Sequence, residues 1–494
     1  YDPMGNLLSK RIEHEGQLQF QEKYAYDEAG NHTETITSHG TFKTLYNTLG
    51  KPLSEKDPLG FVTTHEYLFG NGYRESTTDA NQIQTLRLYD NRGRVSELLK
   101  KNLLGEILAK ETSRYDKNGN LIESTHTVFQ GTEPIRTVTH NWEYGPMGRL
   151  ERFIEAGEKE TRYLYDARGR LNTVIKPSGT QLHHEWDDLG RLARYFASDF
   201  DYRYTYDSND RILSVYDAIS KKKTTRTYNA LGNTTQETLG NGLKLTNTFD
   251  GQGRRIALIL PDNTTIDYTY QGAYLYRVSR NGLKYTYAER DIEGYIIQAD
   301  LPKHIGHLSI KRDGLSRWSK CDSPFYAAKY EYDPVGNLLR HHYQDALGKE
   351  DALYQYDDLN QLILENEHTY LCDSLNNRLK KDDLPHQINN LNQVIHDGET
   401  AYEYDRDGNL IFDGFWRYTY DTQDRLIALE NAGVKIEYTY DPFHRRLSKR
   451  ILLNGRQMSE ERYLWDGDNE IGVVTEKGIE ELRILGEGVG AEIG

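Results

Sequence analysis

The chain has 494 residues, a formal net charge of −15, 36% hydrophobic and 28% charged residues, and 38 tyrosines. The acidic balance argues against a general nucleic-acid binder, which needs a basic surface for phosphates, and against adhesion to anionic membranes. No segment approaches the ~20 apolar residues of a membrane span, and so many aromatic residues argue against disorder.

Taken from the N-terminus, one short motif recurs along the whole chain. It reads YDPMGNLL at Tyr1, YDEAGNHT at Tyr26, YDNRGRVS at Tyr89, YDKNGNLI at Tyr115 and YDARGRLN at Tyr165. It continues as WDDLGRLA at Trp186, YDPVGNLL at Tyr332, YDRDGNLI at Tyr404 and YDPFHRRL at Tyr440. Each copy predicts an aromatic-rich strand, a tight turn and a return strand. In Arg203 to Tyr216, Tyr204 and Tyr206 alternate onto one face, as a strand of period two requires. Asp207 opens the turn, where a short carboxylate bonds backbone amides two residues on. Pro3, Pro334 and Pro442 directly follow the aspartate, the second position of a type I turn. Where the glycine is absent, Asp210, Asn360, Asn392, Asp424 and His444 replace it. These are the residue types most tolerant of a left-handed backbone, so the spacing predicts a type I turn closed by a G1 bulge. Ser316 fits this rule less well.

Motif starts at Tyr144, Tyr165, Trp186, Tyr206, Tyr228, Phe249 and Tyr270 are 20 to 22 residues apart, which accommodates two strands and two turns. Starts at Cys372, Ile388, Tyr404 and Tyr420 are 16 apart, which predicts shorter hairpins. Gaps of 25 to 29, as from Tyr115 to Tyr144, predict longer ones. The stretch from Ala273 to Asp322 holds the most eroded copies, and no Ser/Gly linker marks a boundary. The expectation is one continuous repeat region over 1–494, with a shorter-period part at 372–494. The chain opens on the repeat at Tyr1 and stops at Gly494 without a clear terminus, so it reads as a piece of a longer protein. Cys321 and Cys372 lie far apart in sequence and form no disulfide framework, so stability must come from packing.

Residues that carry chemistry are few. His183 and His184 are adjacent, as are His341 and His342, and adjacent strand residues point to opposite faces, so neither pair makes a two-ligand arm. DRDGN at Asp405 and DGDNE at Asp466 echo part of a calcium loop without its bidentate glutamate, and read as turns. GEGVGAEIG at Gly486 lacks the lysine of a P-loop. Lys221, Lys222 and Lys223 read as a solvated hairpin tip. No catalytic residue, metal site or cofactor is assigned, and ligand-binding residues stay unknown. The repeat tyrosines admit a sugar-stacking reading, but their fixed place in the motif favours cross-strand packing.

The array of about twenty copies resembles the RHS, or YD, repeat. The segments YTYDPFHRRLSKRI at Tyr438 and ERYLWDGDNEIGVV at Glu461 resemble the entry to the RHS core region. The resemblance implies an all-β fold of long antiparallel hairpins spiralling into a hollow shell. Bacterial members, among them polymorphic toxins and toxin-complex components, enclose a C-terminal toxic polypeptide; teneurins use a similar shell in cell-surface recognition. In many toxin-bearing members catalytic aspartates near the end of the core release the toxin; no matching segment stands before Gly494, and Asp466 and Asp468 read as turn residues instead.

The leading expectation is therefore a non-catalytic scaffold around a C-terminal toxin or effector cargo. Its partners would be that cargo and the missing N- and C-terminal parts of the same protein, and its location secreted or at the cell surface. The alternative is a surface adhesin whose outer face recognises a glycan or a protein receptor. A glycosidase on a β-propeller needs blades of about 40–45 residues. Paired units of 20 to 22 supply that length, while the units of 16 and the irregular gaps do not.

Overall fold

The structure, a computed structural model, describes residues 1–14, 17–69 and 73–486. The glycine-rich run beyond Gly486 lies outside the described residues. Among the described residues the chain forms 47 β-strands and one short 3-10 turn at Pro302–His304, with no α-helix. The repeat explains why. Each unit supplies two runs of alternating polarity and a turn whose chemistry forbids continuing the strand. In Thr265–Gln271, for example, Ile266 and Tyr268 are buried while Asp267 and Thr269 are exposed.

The chain divides into two compact units. The first comprises Tyr1–Asn141 and Thr286–Glu399, the second Trp142–Tyr285 and Thr400–Gly494. Within each unit nearly every strand pairs antiparallel with the next in sequence, as Asp201–Tyr206 does with Ile212–Asp217. The 16-residue spacing corresponds to strands of only 2 to 5 residues, from His368–Cys372 to Arg417–Tyr420. Strands then lengthen to 11 residues in Arg456–Asp466.

The turns follow the expected chemistry. In the turn at Asp207, Asp210 N–H donates to the Asp207 carbonyl at 3.3 Å and Asp207 N–H to the Arg211 carbonyl at 3.0 Å, a type I turn closed by a bulge residue. Asp210, Asn360, Asn392, Asp424 and His444 have φ of 62°, 62°, 58°, 61° and 63°. Ser316, expected to fit less well, obeys the same rule at φ 61°, and Asn376 and Gln82 occupy the position at 64° and 66°. The demand for a left-handed backbone overrides residue preference here, because the i→i+3 bond and the strand pairing fix the path on both sides.

Each unit buries its own apolar residues. In the second, Phe200, Tyr202 and Val215 form a cluster with Tyr195, Tyr204 and Phe443 packed against it. Leu258, Leu447, Leu464 and Ile471 are also fully buried. In the first, Val128, Val138, Ala299 and Ala328 are buried to 2% exposure or less. These cores are thin, as expected of sheets with only one covered face.

Candidate functional site: the joints between repeats

The motif residues are best understood at one copy. Asp207 Oδ1 accepts the N–H groups of Asn209 at 2.8 Å and Arg211 at 3.0 Å. Its second oxygen accepts Arg211 Nε at 2.6 Å. The same guanidinium donates to the carbonyl of Asn229, in the next turn, at 3.2 Å. It also lies 4.7 Å over the ring of Tyr228, the next motif tyrosine. The Tyr228 hydroxyl then donates back to the Ile212 carbonyl at 2.8 Å. One aspartate, one arginine and one tyrosine thus join two successive repeats.

The joint recurs. Arg94, Arg191, Arg254, Arg317 and Arg425 each bond their own turn aspartate and cover the next motif tyrosine at 4.4 to 5.1 Å. Where the fifth turn residue is asparagine, its amide takes the arginine's place on the carboxylate, as at Asn6, Asn31, Asn120 and Asn409. Where tryptophan replaces tyrosine, Trp186 and Trp465 donate through the indole N–H to the Leu171 and Arg446 carbonyls, both at 2.8 Å. The fifth turn residue, Arg or Asn in most copies, was the readable signal for these joints in the sequence.

Charge follows from this bonding. The Asp90 carboxyl is held down to about 2, chiefly by the Arg94 side chain and then by its N–H. Asp201 is likewise held at about 2 by Arg194, with Arg203 assisting against the opposing effect of burial. Burial pushes Tyr202 up to about 12. Tyr202 therefore stays neutral, and Asp90 and Asp201 stay ionised, across physiological pH.

Distant segments interlock through the same turns. In the second unit Arg445, 3% exposed, bonds its own turn's Asp441 at 2.7 Å and Glu237 at 2.8 Å. Glu237 also accepts Arg226 at 2.8 Å. The Asn241 amide donates to the Leu447 and Tyr463 carbonyls, both at 2.9 Å. In the first unit Arg136 bonds Asp373 at 3.0 Å and Asn392 at 2.8 Å, and Ser374 exchanges two bonds with the Phe129 backbone at 2.8 and 2.9 Å. A third cluster joins His39 to Asp291 and Glu293.

The residues singled out in the sequence fall mostly within this scheme. His183 stacks on Phe196 at 5.0 Å and His184 on Tyr195 at 4.6 Å, as cross-strand pairs. Burial lowers the His184 pKa. His341 stacks between Tyr330 and Tyr343, while His342 is exposed. Asp405 binds Asn409 as other turn aspartates do, and Asp407 receives Lys176 at 3.0 Å. Asp466 ends a strand and pairs with Arg255, leaving Gly467 and Asp468 as the turn. Of the lysine run, Lys221 and Lys223 are exposed, but Lys222 is half-buried and burial lowers its pKa, so the tip is less solvated than its composition predicts.

Several turns lack the aspartate, among them those opened by Lys176, Leu239 and Leu260, and they make the same backbone bonds. At Gly145–Arg149 glycine replaces the aspartate, and a Cβ there would lie 2.0 Å from Glu151 Oε1. Glu151 Oε1 thus lies beside the place where the Cβ of an aspartate would stand. An open cleft of about 560 Å³ adjoins it, lined in part by Met147, Arg149, Arg152 and Tyr163.

The Teneurin YD-shell family matches residues 72–271 and 303–457. Among solved structures, the chain is similar to part of the Photorhabdus luminescens Tc holotoxin pore, with a TM-score of 0.65 and 16% identity. That likeness covers 98% of this chain and 31% of the other. A crystal structure of TcdB2-TccC3-Cdc42 gives a TM-score of 0.61 at 15% identity, over 98% of this chain and 31% of that one. At these identities the shared property is the fold. A 95-residue stretch is 30% identical to double-stranded DNA deaminase toxin A of Burkholderia cenocepacia (strain H111), covering 18% of this chain and 7% of that protein. The chain therefore spans less than a third of each of these relatives. With the repeat turns, their joints and a family match over most of its length in agreement, the protein belongs to the Teneurin YD-shell family.

Proposed function

We propose that this chain is a non-catalytic wall segment of a toxin-associated shell, enclosing a polypeptide cargo carried by the same larger protein. The observation that supports this most is the use of the motif residues. The carboxylates, guanidiniums and hydroxyls that recur along the chain bond one another across successive repeats, which supports a reading of the repeat as scaffold, with any activity in what it surrounds. The fold shared with Tc toxin structures and the short likeness to a deaminase toxin agree with that role. The two units then act as parts of one continuous region over 1–494, completed by N- and C-terminal parts of the protein. The wall works by steric sequestration, and its net charge of −15 favours a basic cargo. Secretion or display at the cell surface follows from the same reading.

The test is electron microscopy of the protein produced together with the polypeptide that follows it. The account expects a closed shell with added internal density that disappears when the following polypeptide is deleted. An open sheet, or density attached outside, rejects enclosure.

A further inference from the structure

The turn at Asp291–Tyr295 keeps half of the repeat's chemistry and loses the other half. Asp291 Oδ1 still accepts the N–H groups of Glu293 at 3.1 Å and Tyr295 at 2.9 Å. The fifth residue is tyrosine, however, so no arginine or asparagine side chain takes Oδ2. That oxygen turns instead to His39 Nε2, 3.2 Å away. Glu293 stands at the turn's third position, where other copies carry residues such as Leu189, Leu231, Leu375 and Leu391. Its side chain is only 6% exposed and its carboxylate lies 3.4 Å from the same His39 nitrogen.

We infer that His39 Nε2, Asp291 Oδ2 and Glu293 Oε2 form a binding site for a divalent transition-metal ion of the zinc class, which staples the hairpin tip at 37–40 to this turn within the first unit. Charge is the first argument. A buried carboxylate is costly unless a cation or strong donors compensate it. Among the described residues Asp291 and Glu293 have N–H and hydroxyl donors but no arginine or lysine partner to balance their charge. With a neutral histidine the group carries two negative charges, and with a protonated one it still carries one.

Spacing is the second argument. Ligands about 2.0–2.1 Å from a tetrahedral ion stand about 3.3–3.4 Å apart. The donors lie 3.2 and 3.4 Å from the histidine nitrogen, and all three fall within 4.8 Å of one another. One imidazole and two carboxylates leave a fourth position for water, a common zinc ligand set.

Preorganisation is the third argument. The amide and hydroxyl of Ser38 both donate to Glu293, the outer contact that orients a metal-ligating carboxylate. The Thr37 hydroxyl accepts the His39 N–H and donates to the Gly40 carbonyl, both at 3.2 Å. Gly40 has φ 143°, and a Cβ there would lie 2.6 Å from the Pro58 side chain, so the tip that carries His39 has one path. The His39 ring is held edge-on to Tyr295 with centroids 6.2 Å apart.

The test uses the whole chain, stripped with a chelator and titrated with zinc chloride alone. Calorimetry and elemental analysis should show one equivalent bound, with a rise in thermal midpoint. His39→Gln and Asp291→Asn should each lose that equivalent, and Ser38→Ala should keep it with about 10-fold weaker affinity. Absence of stoichiometric zinc in the wild type, or its retention in both ligand variants, overturns the proposal. Cobalt chloride on the wild type decides the matter if a variant does not fold. An intense visible band abolished by zinc supports the site, and weak octahedral absorption or none rejects it.

Discussion

The turns at Asp207 and Asp291 are copies of one motif that solve the same problem differently. Both aspartates use Oδ1 to hold two N–H groups of their own turn. At Asp207 the second oxygen takes Arg211, which then reaches the next repeat. At Asp291 the fifth residue is tyrosine, and the second oxygen takes a histidine 252 residues away in sequence. In both copies the first oxygen caps N–H groups of the turn. The second makes a joint, and its partner can be the next repeat or a distant segment. The turn at Gly145 keeps its backbone bonds without an aspartate, and Glu151 Oε1 lies beside the place where that side chain's Cβ would stand.

The largest way to break the regular joints is collective. The turn aspartates Asp27, Asp90 and Asp187 have pKa values below their ordinary 3.8, with Asp90 near 2. A folded-state pKa below the unfolded one contributes stability that is fully present above about pH 4 and lost as pH falls towards 2. Urea midpoints measured between pH 5 and pH 2 should hold steady to about pH 4 and then fall steeply. A flat profile to pH 2 would deny the joints an electrostatic role.

A single large effect is expected at Arg445, whose joint is almost fully buried. Arg445→Met leaves Asp441 and Glu237 facing one another, with Arg226 as the remaining cation, and should cost about 3–5 kcal/mol in denaturant unfolding. Adding Glu237→Gln should recover part of the loss. Tyr228→Phe removes one hydroxyl bond and leaves a part-buried carbonyl short of a donor, for a loss of about 1 kcal/mol. The turn at Gly145 sharpens the comparison at the smallest scale. Gly145→Asp alone should change stability by less than about 0.5 kcal/mol, because the new carboxylate meets Glu151. With Glu151→Ala added, the restored aspartate should pair with Arg149 and make the double variant the more stable of the two.

The turns were legible residue by residue. Asp207 with Asp210, or Asp421 with Asp424, announces a left-handed position by a side chain that tolerates it, and φ of 62° and 61° follow. Ser316 was harder because the turn, held at both ends, imposes its conformation on whatever residue is present. The joints were half legible. Arg or Asn at the fifth position is a local pattern, but that Arg211 reaches the ring of Tyr228 depends on strand pairing. Contacts such as Arg445 with Glu237, or His39 with Asp291, were not legible at all. They join segments more than 200 residues apart, and acidic and basic residues are too common here for local sequence to say which pair meets.

The central claim is that arginine and the following motif tyrosine couple one repeat to the next. The measurement that tests it most directly is a double-mutant cycle on unfolding free energy with Arg211→Met and Tyr228→Leu, using the pair Arg211 and Tyr270 as control. The contact at 4.7 Å predicts a favourable coupling of about 0.5–1 kcal/mol for the first pair, and additivity for the control. Additive losses in both pairs would contradict the claim.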